Sequence, residues 1–212
     1  MKKKIVIPIL ALIIIVGIAA IYFITSHDLL FSAGGRYDDT NLDYMGVIYQ
    51  NQSDIHCWNE GYSDSDDCPW GFKHQGLDYF FNDSSPVIAA APGRVEEIAL
   101  HDSDAEGNTY HVAIWIRFNQ TVELGYNFEP WTTDESDRER QIEQFTVKEG
   151  DWVEKGEKIA DFVACAESAH IHFDVIENDK RICHKKYFDD TGYSEIMDLI
   201  HSFHPDWDLC YN

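Results

Sequence analysis

The chain has 212 residues and carries 38 acidic against 16 basic side chains, for a formal net charge of −22. So acidic a surface repels nucleic acid and anionic lipid, which excludes both as partners of the folded part. The length leaves room for one domain of ordinary size once a targeting segment is set aside, enough to bury a core without relying on disulfides.

Lys2, Lys3 and Lys4 precede an apolar run over residues 5–24, broken only by Pro8 and Gly17. As a helix such a run matches the roughly 30 Å hydrocarbon core of a bilayer, and the lysines mark its cytoplasmic side. Residues 1–27 therefore read as a membrane anchor with the remainder outside the cell membrane. A cleaved signal peptide ending near Ser32-Ala33 is the competing reading. Residues 28–54 are polar, contain Gly34-Gly35 and read as a linker. The folded domain is expected over 55–212.

Five cysteines fit an oxidising compartment. Cys57 with Cys68 and Cys183 with Cys210 are candidate pairs, although four cysteines allow three connectivities. Between them, short alternating stretches predict strands over 76–81, 87–91, 94–100, 111–118, 144–147, 158–163 and 170–176. Gly150 and Gly156 suggest two tight turns around a short strand. Residues 132–143 read as an exposed acidic insertion that could carry a helical turn, and 194–203 as a C-terminal helix. The fold class is mainly β: a compact antiparallel sheet or sandwich with an N-terminal transmembrane helix and a short C-terminal helix.

Two clusters carry chemistry. In His74-Gln-Gly-Leu-Asp78, residues an even number apart share a side of an extended chain, so His74 and Asp78 can face one ion. In His170-Ile-His172-Phe-Asp174, both imidazoles share a strand face while Ile171 and Phe173 turn inward. Imidazole nitrogens with a carboxylate oxygen make a donor set suited to Zn2+, and three protein ligands leave a coordination position for water. Asp174 lies on the same face and can orient an imidazole.

The order of motifs adds to this. His74-x-x-x-Asp78 is followed by Ala91-x-Gly93-x-Val95, by Val147-x-x-Gly150-Asp151-x-Val153-x-x-Gly156-x-x-Ile159, and by His170-x-His172-Phe173-Asp174. Over about residues 72–177 the sequence resembles the M23 (lysostaphin-type) zinc metallopeptidases, exported enzymes that typically cut peptide cross-links of bacterial cell walls. The resemblance implies zinc ligands His74, Asp78 and His172, with His170 a catalytic group beside the metal. The family's middle Tyr-x-His falls on Tyr126-Asn127-Phe128, without an imidazole. Tyr126 is then a candidate hydroxyl donor, with His101 or His111 as spatial substitutes. The family's glycine-rich loop before His-x-His is replaced by residues 164–168.

The resemblance thus implies a membrane-anchored extracytoplasmic zinc metalloendopeptidase acting on a wall polymer or surface protein. The alternative is a zinc-binding, catalytically weak domain that binds or regulates an envelope partner. The segment around Gly150 and Gly156 also resembles biotinyl- and lipoyl-carrier modules. Such a module needs a lysine flanked by Met or Asp at the turn, which this chain lacks, and leaves the His and Asp pattern unexplained.

Overall fold

The structure, a computed structural model, describes residues 15–17 and 42–211. Apart from Ile15, Val16 and Gly17, which are helical, the expected anchor lies outside the described residues. No helix among the described residues is long and apolar enough to cross a membrane. The chain divides into two units, Met1–Asp39 and Thr40–Asn212, and every strand among the described residues belongs to the second.

The strands β1 (Ile55–Cys57), β2 (Tyr62–Ser63), β3 (Leu77–Phe81) and β4 (Pro86–Ile88) are short. A long hairpin of β5 (Gly93–Ala105) and β6 (Asn108–Arg117) comes next, and β7 (Val122–Glu129) returns beside it. Helix α1 (Glu135–Glu143) leads to β8 (Trp152–Val153), β9 (Lys158–Asp161) and β10 (His170–Glu177). β11 (Lys180–Arg181), helix α2 (Asp190–Phe203) and β12 (Cys210–Tyr211) come last. One antiparallel sheet runs β1-β3-β10-β7-β6-β5-β8, with β11 paired to β10.

Alternation sets the two faces of that sheet. Val122, Leu124, Tyr126 and Phe128 of β7 and Ile171, Phe173 and Val175 of β10 are buried in one core. The β4–β9 pair adds Val87 and Ile159 to this core, and α2 adds Ile196, Leu199 and Ile200. Each such side chain contributes roughly 1.5–3 kcal/mol on full burial. The residues between them, His170, His172, Asn127 and Glu129, project from the opposite face. The mainly β, antiparallel expectation holds.

Several expectations need correction. The linker expected over 28–54 supplies core from Leu42 onward: Leu42, Met45, Val47, Ile48 and Tyr49 are buried. Its backbone is tied in as well, Gly46 N–H donating to Ala90 O at 2.8 Å. Polar neighbours obscure that apolar set. Residues 144–147 form no strand, only a single bridge from Phe145 to Ala160. The acidic insertion is largely exposed, as expected, but one side of it is packed against the domain. Asp134 caps the start of helix α1, its carboxylate accepting from Ser136 N–H, and Gln141 and Arg138 are buried. Gln141 donates to Asp161 O at 2.9 Å and accepts from Val163 N–H at 2.7 Å, replacing lost hydration with hydrogen bonds. Cys183 and Cys210 are bonded as expected, whereas Cys57, Cys68 and Cys165 are free thiols.

Candidate metal centre

β3 and β10 are neighbours, and their register sets His172 directly opposite Asp78. His74 enters from the segment before β3, fixed by a bridge to Ser63. One donor atom from each of His74, Asp78 and His172 lies within 4.8 Å of the others. His74 Nε2 is 3.0 Å from His172 Nδ1 and 3.3 Å from Asp78 Oδ1, and His172 Nδ1 is 2.8 Å from Asp78 Oδ1. Two ligands of a tetrahedral zinc are separated by roughly 3.3 Å, given bonds near 2.05 Å. The three donors therefore fit such an ion.

The remote ring nitrogens fix which atom faces the centre. His74 Nδ1–H donates to Gly61 O at 2.8 Å, leaving Nε2 free to ligate. His172 Nε2 lies 3.3 Å from Asp174 Oδ1, leaving Nδ1 for the centre. Arg181 on β11 holds that Asp174 oxygen at 2.8 Å. Carboxylate and carbonyl partners of this kind orient metal-binding imidazoles. Gly76 completes the packing: a Cβ there would overlap the His172 ring.

Burial and charge act against each other here. Burial favours a neutral His172, but Asp174 and Asp78 outweigh it and lift its pKa well above the usual histidine range. Burial likewise opposes an ionised Asp78. His170, His172 and His74 overcome that and hold it well below the usual carboxylate range. The centre favours a carboxylate facing positive charge, which a cation satisfies as well as a proton does.

A cleft of about 410 Å³ opens over these residues. His170, the expected catalytic residue, lines it with Nε2 3.7 Å from Asp78 Oδ2. Its Nδ1–H donates to Ser168 O at 2.8 Å, so Nε2 is the free nitrogen on the cleft side. Tyr126 is not in the cleft. It is fully buried on the other face of β7, where its hydroxyl accepts from Ala90 N–H at 2.8 Å, so its expected catalytic role is corrected to a core one. Strand alternation is the reason: opposite β10, Asn127 faces His172 and Glu129 faces His170, while Tyr126 and Phe128 turn inward. Of the two substitute imidazoles, His111 lines the cleft. His101, opposite it on β5, is exposed.

Two carboxylates in the cleft escaped sequence reasoning. Glu129 lies 3.6 Å from His170 Nε2 and 3.8 Å from His111 Nε2. Glu60 lies 3.9 Å from His74 Nε2, and burial, with Asp78, raises its pKa. The parity of β7 signals Glu129, once paired to β10. No sequence pattern marks Glu60.

No protein-family model and no curated protein sequence matches the chain. Among solved structures it is similar to Helicobacter pylori Csd3, at 21% identity over 68% of this chain and 34% of that one, with a TM-score of 0.47. It is also similar to a zinc-containing peptidase from Vibrio cholerae, at 17% identity over 66% of this chain and 38% of that one, with a TM-score of 0.46. Lysostaphin, the antimicrobial peptidase of Staphylococcus simulans, matches at 19% identity over 72% of this chain and 56% of that one, with a TM-score of 0.45. The chain spans about a third of the length of the first two. Likeness at this level carries no functional argument, so function rests on the cleft's own residues.

Proposed function

We propose that this domain is a zinc-dependent metallopeptidase, hydrolysing peptide bonds of a wall polymer or surface protein outside the cytoplasm. The carrying observation is the convergence of His74 Nε2, Asp78 Oδ1 and His172 Nδ1 within 4.8 Å at the floor of an open cleft. Bound there, zinc would lower the pKa of water to about 7 and polarise a carbonyl. The chain's own residues supply the remainder. His170 Nε2 can take the proton of the attacking water and return it to the departing amine nitrogen, because its other nitrogen is committed to Ser168 O. The Phe80 and Trp131 rings flank the His170 ring, with centroids 5.0 and 5.8 Å away, and restrict its motion.

The binding-only alternative draws on the missing middle imidazole and on the replaced loop over 164–168. His111 in the cleft wall answers the first of these, since it brings a second imidazole to the cleft from β6. The Cys183–Cys210 disulfide favours an oxidising compartment, and the basic cluster before residues 5–24 favours tethering at a membrane with the domain outside.

The test is release of fragments from peptidoglycan and cleavage of Gly- and Ala-rich peptides by the zinc-loaded protein. Cleavage should cease with a chelator and return with zinc. His170→Ala should keep its zinc and lose about 10²–10³ in rate. A folded, zinc-loaded protein that cuts none of these substrates would point to a binding role instead.

A further inference from the structure

We propose that Glu129 is a positioning residue of this cleft: clamped by Asn108 and Asn127, its carboxylate stands between the imidazoles of His170 and His111 and supplies the counter-charge that orients them toward a reacting peptide. The proposal rests on the metallopeptidase reading and adds to it a residue that neither the motifs nor the resemblance assigns.

The sheet register builds the arrangement. Glu129 closes β7 directly opposite His170, and His111 on β6 precedes the Val112–Phe128 pair, so the three fall in one row across three strands. Glu129 Oε2 lies 3.6 Å from His170 Nε2 and 3.8 Å from His111 Nε2. Asn108 Nδ2 donates to that same oxygen at 2.7 Å, and Asn127 Nδ2 donates to Oε1 at 2.7 Å. Two amide donors fix the carboxylate plane, and an acceptor-only ionised carboxylate suits both. His111 is held in turn, its Nε2–H donating to Asn108 O at 3.1 Å.

This placement matters to hydrolysis for a physical reason. As water attacks, its oxygen bonds to the carbonyl carbon and one of its protons must be held until the C–N bond breaks and the amine nitrogen accepts it. An imidazole holding that proton is a cation on a ring that is itself largely buried in the cleft wall, and such a charge is costly without a counter-charge. Glu129 is an anion within 4 Å of both rings. Burial lowers the His111 pKa; Glu129 and the Asn108 carbonyl oppose this, while His170 from β10 and His101 from β5 add to the lowering.

Glu129→Gln in the full-length protein tests this. The amide has the same shape and, with its neighbours' amides turned, keeps hydrogen bonds to Asn108 and Asn127, so only the charge is removed. Three quantities are read: zinc per chain, kcat and KM on a peptide the wild type cuts, and the NMR titration of the His111 ring, assigned with His111→Gln. The expected result is unchanged zinc, unchanged KM and a kcat lower by about 10²-fold. The His111 midpoint should fall by about one pH unit or more, and Glu129→Asp should restore part of that shift. An unchanged kcat in zinc-loaded Glu129→Gln, or an unmoved His111 midpoint, would overturn the proposal while leaving the metallopeptidase reading intact. If the wild type neither binds zinc nor cuts peptides, that reading fails by itself. A moved midpoint would then uphold the charge pair, and an unmoved one would overturn it.

Discussion

Gly76 lies between two ligands on the same side of the chain, and its missing Cβ is where the His172 ring sits. Gly76→Ala should push that ring off the centre, and overpacking of this kind costs about 1–3 kcal/mol. Zinc affinity, read by competition with a chelator, should fall roughly 10- to 100-fold; an unaltered affinity would contradict the packing. His184 is fully buried, and burial lowers its pKa from 6.5 to about 4. The unfolded chain therefore takes up this proton before the folded one does. Its contribution is complete above about pH 6.5 and is lost as pH falls toward 4, about 3 kcal/mol in all. Denaturation of His184→Asn beside the wild type isolates it: the variant should lose less stability over that window, and parallel curves would count against the burial argument. Tyr126→Phe leaves the Ala90 N–H unpaired in the core, at about 1–3 kcal/mol, while zinc binding and cleavage should not change. The proposed ligand set is legible in the sequence because His74 and Asp78 lie an even number of residues apart and His172 shares a strand face with His170. Tyr126 is misread there because the motif aligns on its tyrosine, whereas parity turns that side chain inward. Glu60 cannot be found from sequence, because a loop residue reaches a site without any periodicity.

β7 and β10 together hold the cleft side chains on one face and the core on the other. β7 is absent from the strands expected from the sequence, although it carries apolar residues at 122, 124, 126 and 128, with Gly125 in its middle. In the fold that glycine is required, because a Cβ there would overlap the Trp115 ring. Residues 144–147 show the opposite error: they meet β9 through a single bridge, Phe145 to Ala160, too little pairing to make a strand. Helix α1 is only half visible in the sequence, because its buried face is made by Arg138 and Gln141 and carries little apolar signal. Arg138 joins α1 to the β5–β6 hairpin through Asp102 at 2.5 Å and stacks over Tyr110 at 4.9 Å. The Cys183–Cys210 bond ties the segment before α2 to β12 over a separation of 27 residues. Closing a loop of that length is worth about 3–4 kcal/mol in the chain-entropy account. Cys183→Ser/Cys210→Ser should lose about that much stability on denaturant unfolding, and an unchanged midpoint would contradict it.

Over the whole molecule a net charge of −22 weighs on the compact state through self-repulsion. Raising sodium chloride from about 20 to about 200 mM shortens the screening length and should raise the thermal midpoint; a midpoint that falls would show that local ion pairs dominate. Cation binding at the centre has a direct measurement. Zinc per chain should be determined on the purified full-length protein beside His74→Ala/His172→Ala. One zinc in the wild type, absent from the folded variant, is the predicted result. A well-folded wild type that takes up no zinc would contradict the assignment of His74, Asp78 and His172 as ligands, and with it the metallopeptidase reading.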